Sequence, residues 1–255
     1  MAKQSPEQMI IQEFKKLLNG KEEESEKTIE AKIEKLIDVL KFRGSEECPF
    51  DPIERIRRGF CNFINNIYNP SVTEGQHPKF LVFSCSDSRV SPSNVLCFEP
   101  GEAFIVRNIA NMVPPFNQLR YSGVGATIEY AVSELKVENI LIIGHSGCGG
   151  IKALMNLPED GSTSNDFIDD WVKIGLPAKA KVLAEHGDLD YTEQCKICES
   201  EAVNFSLVNL QSYPYVKAAM AYQNIRLWGA YYDFYNKNFK LWEVKYQTDY
   251  IPIIC

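Results

Sequence analysis

The sequence predicts an α/β protein: a central, mainly parallel β-sheet flanked by helices, with a helical arm at the N-terminus. Three observations carry this. Phe80-Leu81-Val82-Phe83, Ala103-Phe104-Ile105-Val106 and Asn139-Ile140-Leu141-Ile142-Ile143 are short apolar runs, as in strands covered on both faces. Helical periodicity separates and follows them, at Gly123 to Leu135 and from Gly149 onward, which implies strand–helix–strand units around a parallel sheet. Everything before Phe80 shows helical spacing alone.

In chain order, Gly20 to Thr28 is a charged stretch that opens an exposed helix. From Thr28, the residues Ile29, Ile33, Leu36, Ile37 and Leu40 recur at helical spacing, giving an amphipathic helix that ends near Gly44. Pro52 to Tyr68 predicts a second helix, with Ile53, Ile56, Phe60 and Ile64 on one stripe. Ser91-Pro92 is a cap and first-turn pair that opens a short helix. The region after Gly149 is mostly helical to about Ala221, with Pro177 as a break or kink. Ile225 to Trp228 and Phe239 to Val244 are late strands, one or both at a sheet edge. No repeat, low-complexity tract or linker divides the chain. Residues 1–70 form the arm and residues 71–255 a single α/β domain.

Composition excludes several classes. The chain has 255 residues, 45% hydrophobic and 24% charged, with a net charge of -7 at pH 7. It is long enough to bury a large core without covalent staples. An acidic chain without basic clusters argues against nucleic acid as partner. No apolar run approaches the roughly 18 residues of a membrane span. The first residues lack the apolar core of a secretory signal and the composition of an organelle leader. Cytoplasmic location is therefore expected, with the chloroplast as the alternative if a transit peptide has been removed. Eight cysteines in such a chain point to metal or catalysis rather than disulfides.

The chemistry concentrates in two loops. Cys85-Ser86-Asp87-Ser88-Arg89 follows one predicted strand, and His145-Ser146-Gly147-Cys148 follows another. Zinc favours thiolate and imidazole in tetrahedral geometry. His145 and Cys148 can come from one short loop and Cys85 from a neighbouring strand end. Three protein ligands leave a fourth position for water, the mark of a catalytic rather than a structural zinc site. Taken singly, each residue is better read as a buried small hydrophobe or a core histidine; the joint arrangement at strand ends favours the metal. Asp87 and Arg89, two apart, can orient a water beside the metal, the arginine holding the carboxylate ionised. Cys195-Lys196-Ile197-Cys198 falls in a glutamate-rich helical stretch without a histidine nearby; it is read as structural, with redox exchange as the alternative. His77 and His186 are read as surface residues.

These motifs resemble those of the plant-type β-carbonic anhydrases. The matching stretches run from about Gln76 to about Trp242: CSDSR (Cys85 to Arg89), PGEAFIVRNIANMVPP (Pro100 to Pro115), GATIEYAV (Gly125 to Val132), NILIIGHSGCGGIKAL (Asn139 to Leu154) and DFIDDWVKIGLPAKAK (Asp166 to Lys181). The resemblance implies reversible hydration of carbon dioxide to bicarbonate and a proton, with one Zn2+ per subunit on Cys85, His145 and Cys148. It implies Asp87 and Arg89 as the catalytic dyad, Gln76 as a pocket amide, and Phe104, Ile109 and Tyr130 as apolar lining, some of it contributed across a subunit interface. Gly147 corresponds to a backbone donor beside the metal. It also implies a homodimer or higher homo-oligomer, with the arm packed on a partner subunit. Two other readings stand beside it. The same zinc site can hydrolyse carbonyl sulfide or carbon disulfide, and a redox-responsive binding protein can use Cys195 and Cys198.

Overall fold

The structure is a computed structural model that describes residues 50–222 and 225–244, together with the backbone of residues 250–254. The amphipathic helix expected from Thr28 to Gly44 lies outside the described residues. The chain divides into two compact units at Tyr68 and Asn69. In the first, helix α1 spans Pro52–Asn66. Asp51 caps it by accepting from the amides of Ile53 and Glu54, and Pro52 supplies the preset first turn. Its apolar stripe is exposed: Ile53 and Ile56 are each 70% accessible and Phe60 64%.

The second unit is built on a six-stranded sheet in the order β2-β1-β3-β4-β5-β6, where β1 is Phe80–Cys85, β2 Ala103–Asn108, β3 Asn139–His145, β4 Arg226–Asp233, β5 Asn238–Val244 and β6 Tyr250–Ile254. The first four strands run parallel; β5 and β6 add antiparallel. The two late strands are thus not at the edge. β4 pairs on both sides, and β6 covers β5. The last ten residues carry little periodic signal, so this sixth strand was not expected.

The helices follow the predicted alternation. α2 (Pro92–Val95) opens with Pro92 as expected, although the Ser91 side chain makes no capping bond. α3 (Ser122–Glu129) widens into a π turn over Tyr130–Glu134. α4 is Gly149–Met155, α5 Ile168–Val172, α6 Leu176–His186, α7 Tyr191–Leu210 and α8 Pro214–Tyr222. Pro177 marks the expected break: one helix ends at Val172 and α6 opens with Pro177 in its first turn, where its missing amide costs nothing.

The period of two along β1 and β3 sorts the core. Leu81, Phe83, Ile140 and Ile142 pack with Val203, Leu207 and Leu210 of α7, while Val82, Leu141 and Ile143 face the other side. The chain leaves β1 for β2 on one side and returns for β3 on the other. The carboxyl ends of β1 and β3 therefore flank a topological switch point, where open α/β sheets place their ligands.

Candidate metal centre

Cys85 ends β1 and His145 ends β3. Cys148 follows three residues later at the start of α4. The loop can turn this tightly because Gly147 takes φ 66°, which costs an L side chain and suits glycine. All three side chains are buried, and their ligand atoms lie within 4.8 Å of one another. The two sulfurs are 4.0 Å apart. Two zinc–sulfur bonds of about 2.3 Å could span that gap.

The imidazole decides the matter. His145 Nδ1 lies 3.0 Å from the Ser146 carbonyl; a carbonyl only accepts, so Nδ1 carries the proton. Nε2 is then a bare lone pair, buried and without a hydrogen-bond partner. A buried lone pair aimed at two thiols, whose protons a cation displaces on binding, completes a three-donor set. These donors fit zinc.

The two thiols behave as one pair. The hydrogen bond with Cys148 draws Cys85 down to about 4 against the opposing effect of burial. The same contact, joined by burial, pushes Cys148 up. Behind the loop sits Glu199 of α7, itself buried. It accepts the Cys148 amide at 2.9 Å and the Tyr231 hydroxyl at 2.7 Å, and the Gly147 amide stabilises the same carboxylate. Burial nevertheless raises its pKa.

Asp87 and Arg89 meet in a two-pronged ion pair. Arg89 Nε donates to Oδ1 at 2.9 Å and Nη2 to Oδ2 at 2.7 Å, and the Arg89 amide also donates to Oδ1. The Arg89 side chain holds the Asp87 carboxyl well below the usual carboxylate range. Arg107 fixes the loop backbone by donating to the carbonyls of Cys85 and Asp87.

Beside the loop lies a cleft of about 450 Å³, lined among others by Ser86, Asn108, Ile109, Ile168 and Trp171. The turn after β2 forms one wall. Ala110 and Asn111 both sit at positive φ there (58° and 49°), a strained pair. Trp171 Nε1 donates to the Ile109 carbonyl at 2.8 Å and holds that turn in place. Gly150 passes so close that an added Cβ would stand 2.7 Å from Ile109 Cγ2.

The comparisons with known proteins agree with this geometry. The family model described as carbonic anhydrase matches residues 80–238. "Beta carbonic anhydrase 3" of Arabidopsis thaliana is 49% identical over 225 residues, 86% of this chain and 86% of that one. The chain belongs to the β-carbonic anhydrases. The family's reaction is the reversible hydration of carbon dioxide, and its metal is zinc, for which Cys85, His145 and Cys148 are the fitting ligands. Among solved structures, the β-carbonic anhydrase CcaA superposes with a TM-score of 0.71 at 27% identity, over 80% of this chain and 92% of that one. A tetrameric β-carbonic anhydrase of the ascomycete Sordaria macrospora gives 0.60 at 29% identity, over 74% and 92%.

Within one β-carbonic anhydrase chain, not every expected site residue reaches the metal loops. Ile109 lines the cleft, and Gly147 lies in the ligand loop. Gln76 is on an exposed loop that precedes β1, whereas Cys85 is at the opposite end of that strand, roughly 16 Å on. Phe104 pairs in register with Leu81, near the same amino end, and packs against Tyr130 with ring centroids 5.9 Å apart and planes tilted by 37°. Cys195 and Cys198 are buried on α7, and burial pushes Cys198 up to about 12. His77 is exposed and His186 half-buried.

Sequence reasoning missed Glu199, Trp171, Arg107 and Phe234. For Glu199 a signal existed. Cys195, Glu199, Ala202 and Ser206 share one buried stripe of α7, and a carboxylate on such a stripe needs a partner. Trp171 sits on the short helix α5, Arg107 on β2 and Phe234 in a turn, and their spacing carries no such mark.

Proposed function

We propose that in this chain's hydration of carbon dioxide Asp87 orients the attacking water and Arg89 anchors Asp87. The observation that carries the reading is the unpartnered Nε2 of His145 facing two sulfurs 4.0 Å apart, one ion-pair loop away from a carboxylate. Cys85, His145 and Cys148 would hold zinc there, and the chemistry it would supply is a water acidified to a pKa of about 7, a nucleophile available at neutral pH. Asp87 stays ionised throughout the physiological range because Arg89 bonds both its oxygens. An ionised carboxylate only accepts hydrogen bonds, so it selects and aims a water proton and directs the oxygen lone pair away from itself. The fork of Arg89 also keeps Asp87 from rotating onto the metal. The apolar wall at Ile109 suits a small, uncharged substrate.

The reading includes a homo-oligomer. Gln76, Phe104 and Tyr130 serve as pocket residues only if supplied by a second copy, and the exposed stripe of α1 suits the packing of residues 1–70 on a partner subunit. The tetrameric relative from Sordaria supports this assembly. Asp87→Ala tests the reading. Zinc should remain at one per chain while hydration followed by stopped flow falls by about 100-fold or more, the scale of a lost orienting group. Wild-type turnover in a zinc-loaded Asp87→Ala protein removes Asp87 from the mechanism.

A further inference from the structure

Phe234 lies between the two halves of the centre. It stands in the turn between β4 and β5, far in sequence from both motif loops. One face of its ring stacks on the His145 imidazole, with centroids 6.1 Å apart and planes inclined by 25°. The Arg89 guanidinium carbon is 4.5 Å from the same ring's centroid, within cation–π range. Phe234 therefore contacts both a metal ligand and the anchor of Asp87.

The turn is braced for this placement. The Phe234 amide donates to Ser146 Oγ at 3.1 Å, which ties it to the residue after His145. Buried Asp233 accepts from the amides of Tyr235 and Asn236 and from Asn236 Nδ2. Tyr232 and Tyr235 pack their rings against Phe234, at 6.0 and 4.7 Å. Arg89, by contrast, is half exposed, with 52% of its side chain accessible. Asp87 holds the edges of its guanidinium but sits on the same short loop, so that pair alone cannot fix its direction relative to the metal ligands. The Phe234 ring under the guanidinium carbon, together with the neighbouring Tyr235 side chain that bonds Arg89, supplies that reference.

We propose that Phe234 is a positioning residue for the reaction: its aromatic face locks Arg89, and through it Asp87, in register with the His145 ligand. The proposal rests on the reading of Asp87 and Arg89 as the dyad. The test uses zinc-loaded protein. Phe234→Leu keeps apolar bulk but removes the π face. It should bind one zinc per chain, lower kcat by about 10-fold with little change in KM, and abolish the ring-current shift of the Arg89 side-chain protons. Phe234→Trp should restore kcat to within about twofold. On an Arg89→Met background, Phe234→Leu should cost nothing further. Stepwise fluorination of the ring at position 234 preserves its shape and drains its negative face, so kcat should decline with each fluorine. That series decides the matter even if Phe234→Leu loses zinc or fails to fold. Wild-type kcat in zinc-loaded Phe234→Leu, additive losses with Arg89→Met, or a flat fluorination series each overturns the proposal. Wild-type kcat in Arg89→Met alone overturns the dyad reading instead.

Discussion

Among the described residues there are two pairs of buried thiols, and one of them joins a histidine in a candidate metal site. Cys195 and Cys198 have the familiar two-residue spacing, yet they lie on α7 within the apolar packing under α4 and α6. Burial raises both pKa values, and the neighbouring acid Glu199 raises them further. Cys85 and Cys148 are 63 residues apart, from two different strand ends. They share an unpartnered imidazole nitrogen and a stabilised thiolate. Spacing within a motif is thus a poor guide to metal binding. What counts is whether the topology brings a third donor to the same point, and the carboxyl ends of adjacent parallel strands do that.

The largest expected effect tests this contrast directly. Cys148→Ala should reduce bound zinc from one per chain to under about a tenth, and hydration should fall at least a thousandfold, since no nucleophile is then available at neutral pH. Cys195→Ala combined with Cys198→Ala should leave zinc content unchanged. Metal analysis on both proteins decides. Zinc retained in the first, or lost in the second, would reverse the roles assigned to the two pairs.

The contrast also marks what could be read from the sequence. The parallel strands were legible because Leu81 to Phe83 and Ile140 to Ile143 are apolar on both faces, and the ligands because they follow those strands directly. Asp87 and Arg89 were legible through adjacency to Cys85. Phe234 and Trp171 were not, since their roles come from contacts with residues far away in sequence. Pro177 was legible as a break: the helical run stops at Val172 and a new helix opens with Pro177 in its first turn. Gln76, Phe104 and Tyr130 were named as pocket residues from resemblance, and a single chain leaves them away from the metal loops.

A smaller effect sharpens the comparison at its one shared element, α7. This helix gives its thiols to the core but its Glu199 carboxylate to the amide of Cys148. Groups that orient ligands from behind typically contribute 10–100-fold to metal affinity. Glu199→Ala should weaken zinc binding by about that factor in competition with a chelator, because the buried Cys148 amide is left without an acceptor. Glu199→Gln, which keeps an acceptor oxygen, should fall between the two. Unchanged affinity in Glu199→Ala would mean that the carboxylate serves only the packing of Tyr231.

The smallest effect separates the pairs by pH. An unfolded thiol titrates near 8.5, whereas in the folded protein burial first, then the nearby Cys195, Glu199 and Glu201 charges, push Cys198 up to about 12. The folded state thus holds the proton longer than the unfolded state. The stability this confers is intact below about 8.5 and drains away as pH rises toward 12, reaching a loss of about 2 kcal/mol by pH 10. Cys198→Ala should cost about 1 kcal/mol at pH 7 for the lost sulfur contacts, but its stability should fall less between pH 8 and pH 10 than that of the wild type. Urea titrations at the two pH values measure the difference. Parallel slopes would show that Cys198 is not held as a protonated thiol, which would reopen a redox or metal role for the helical pair.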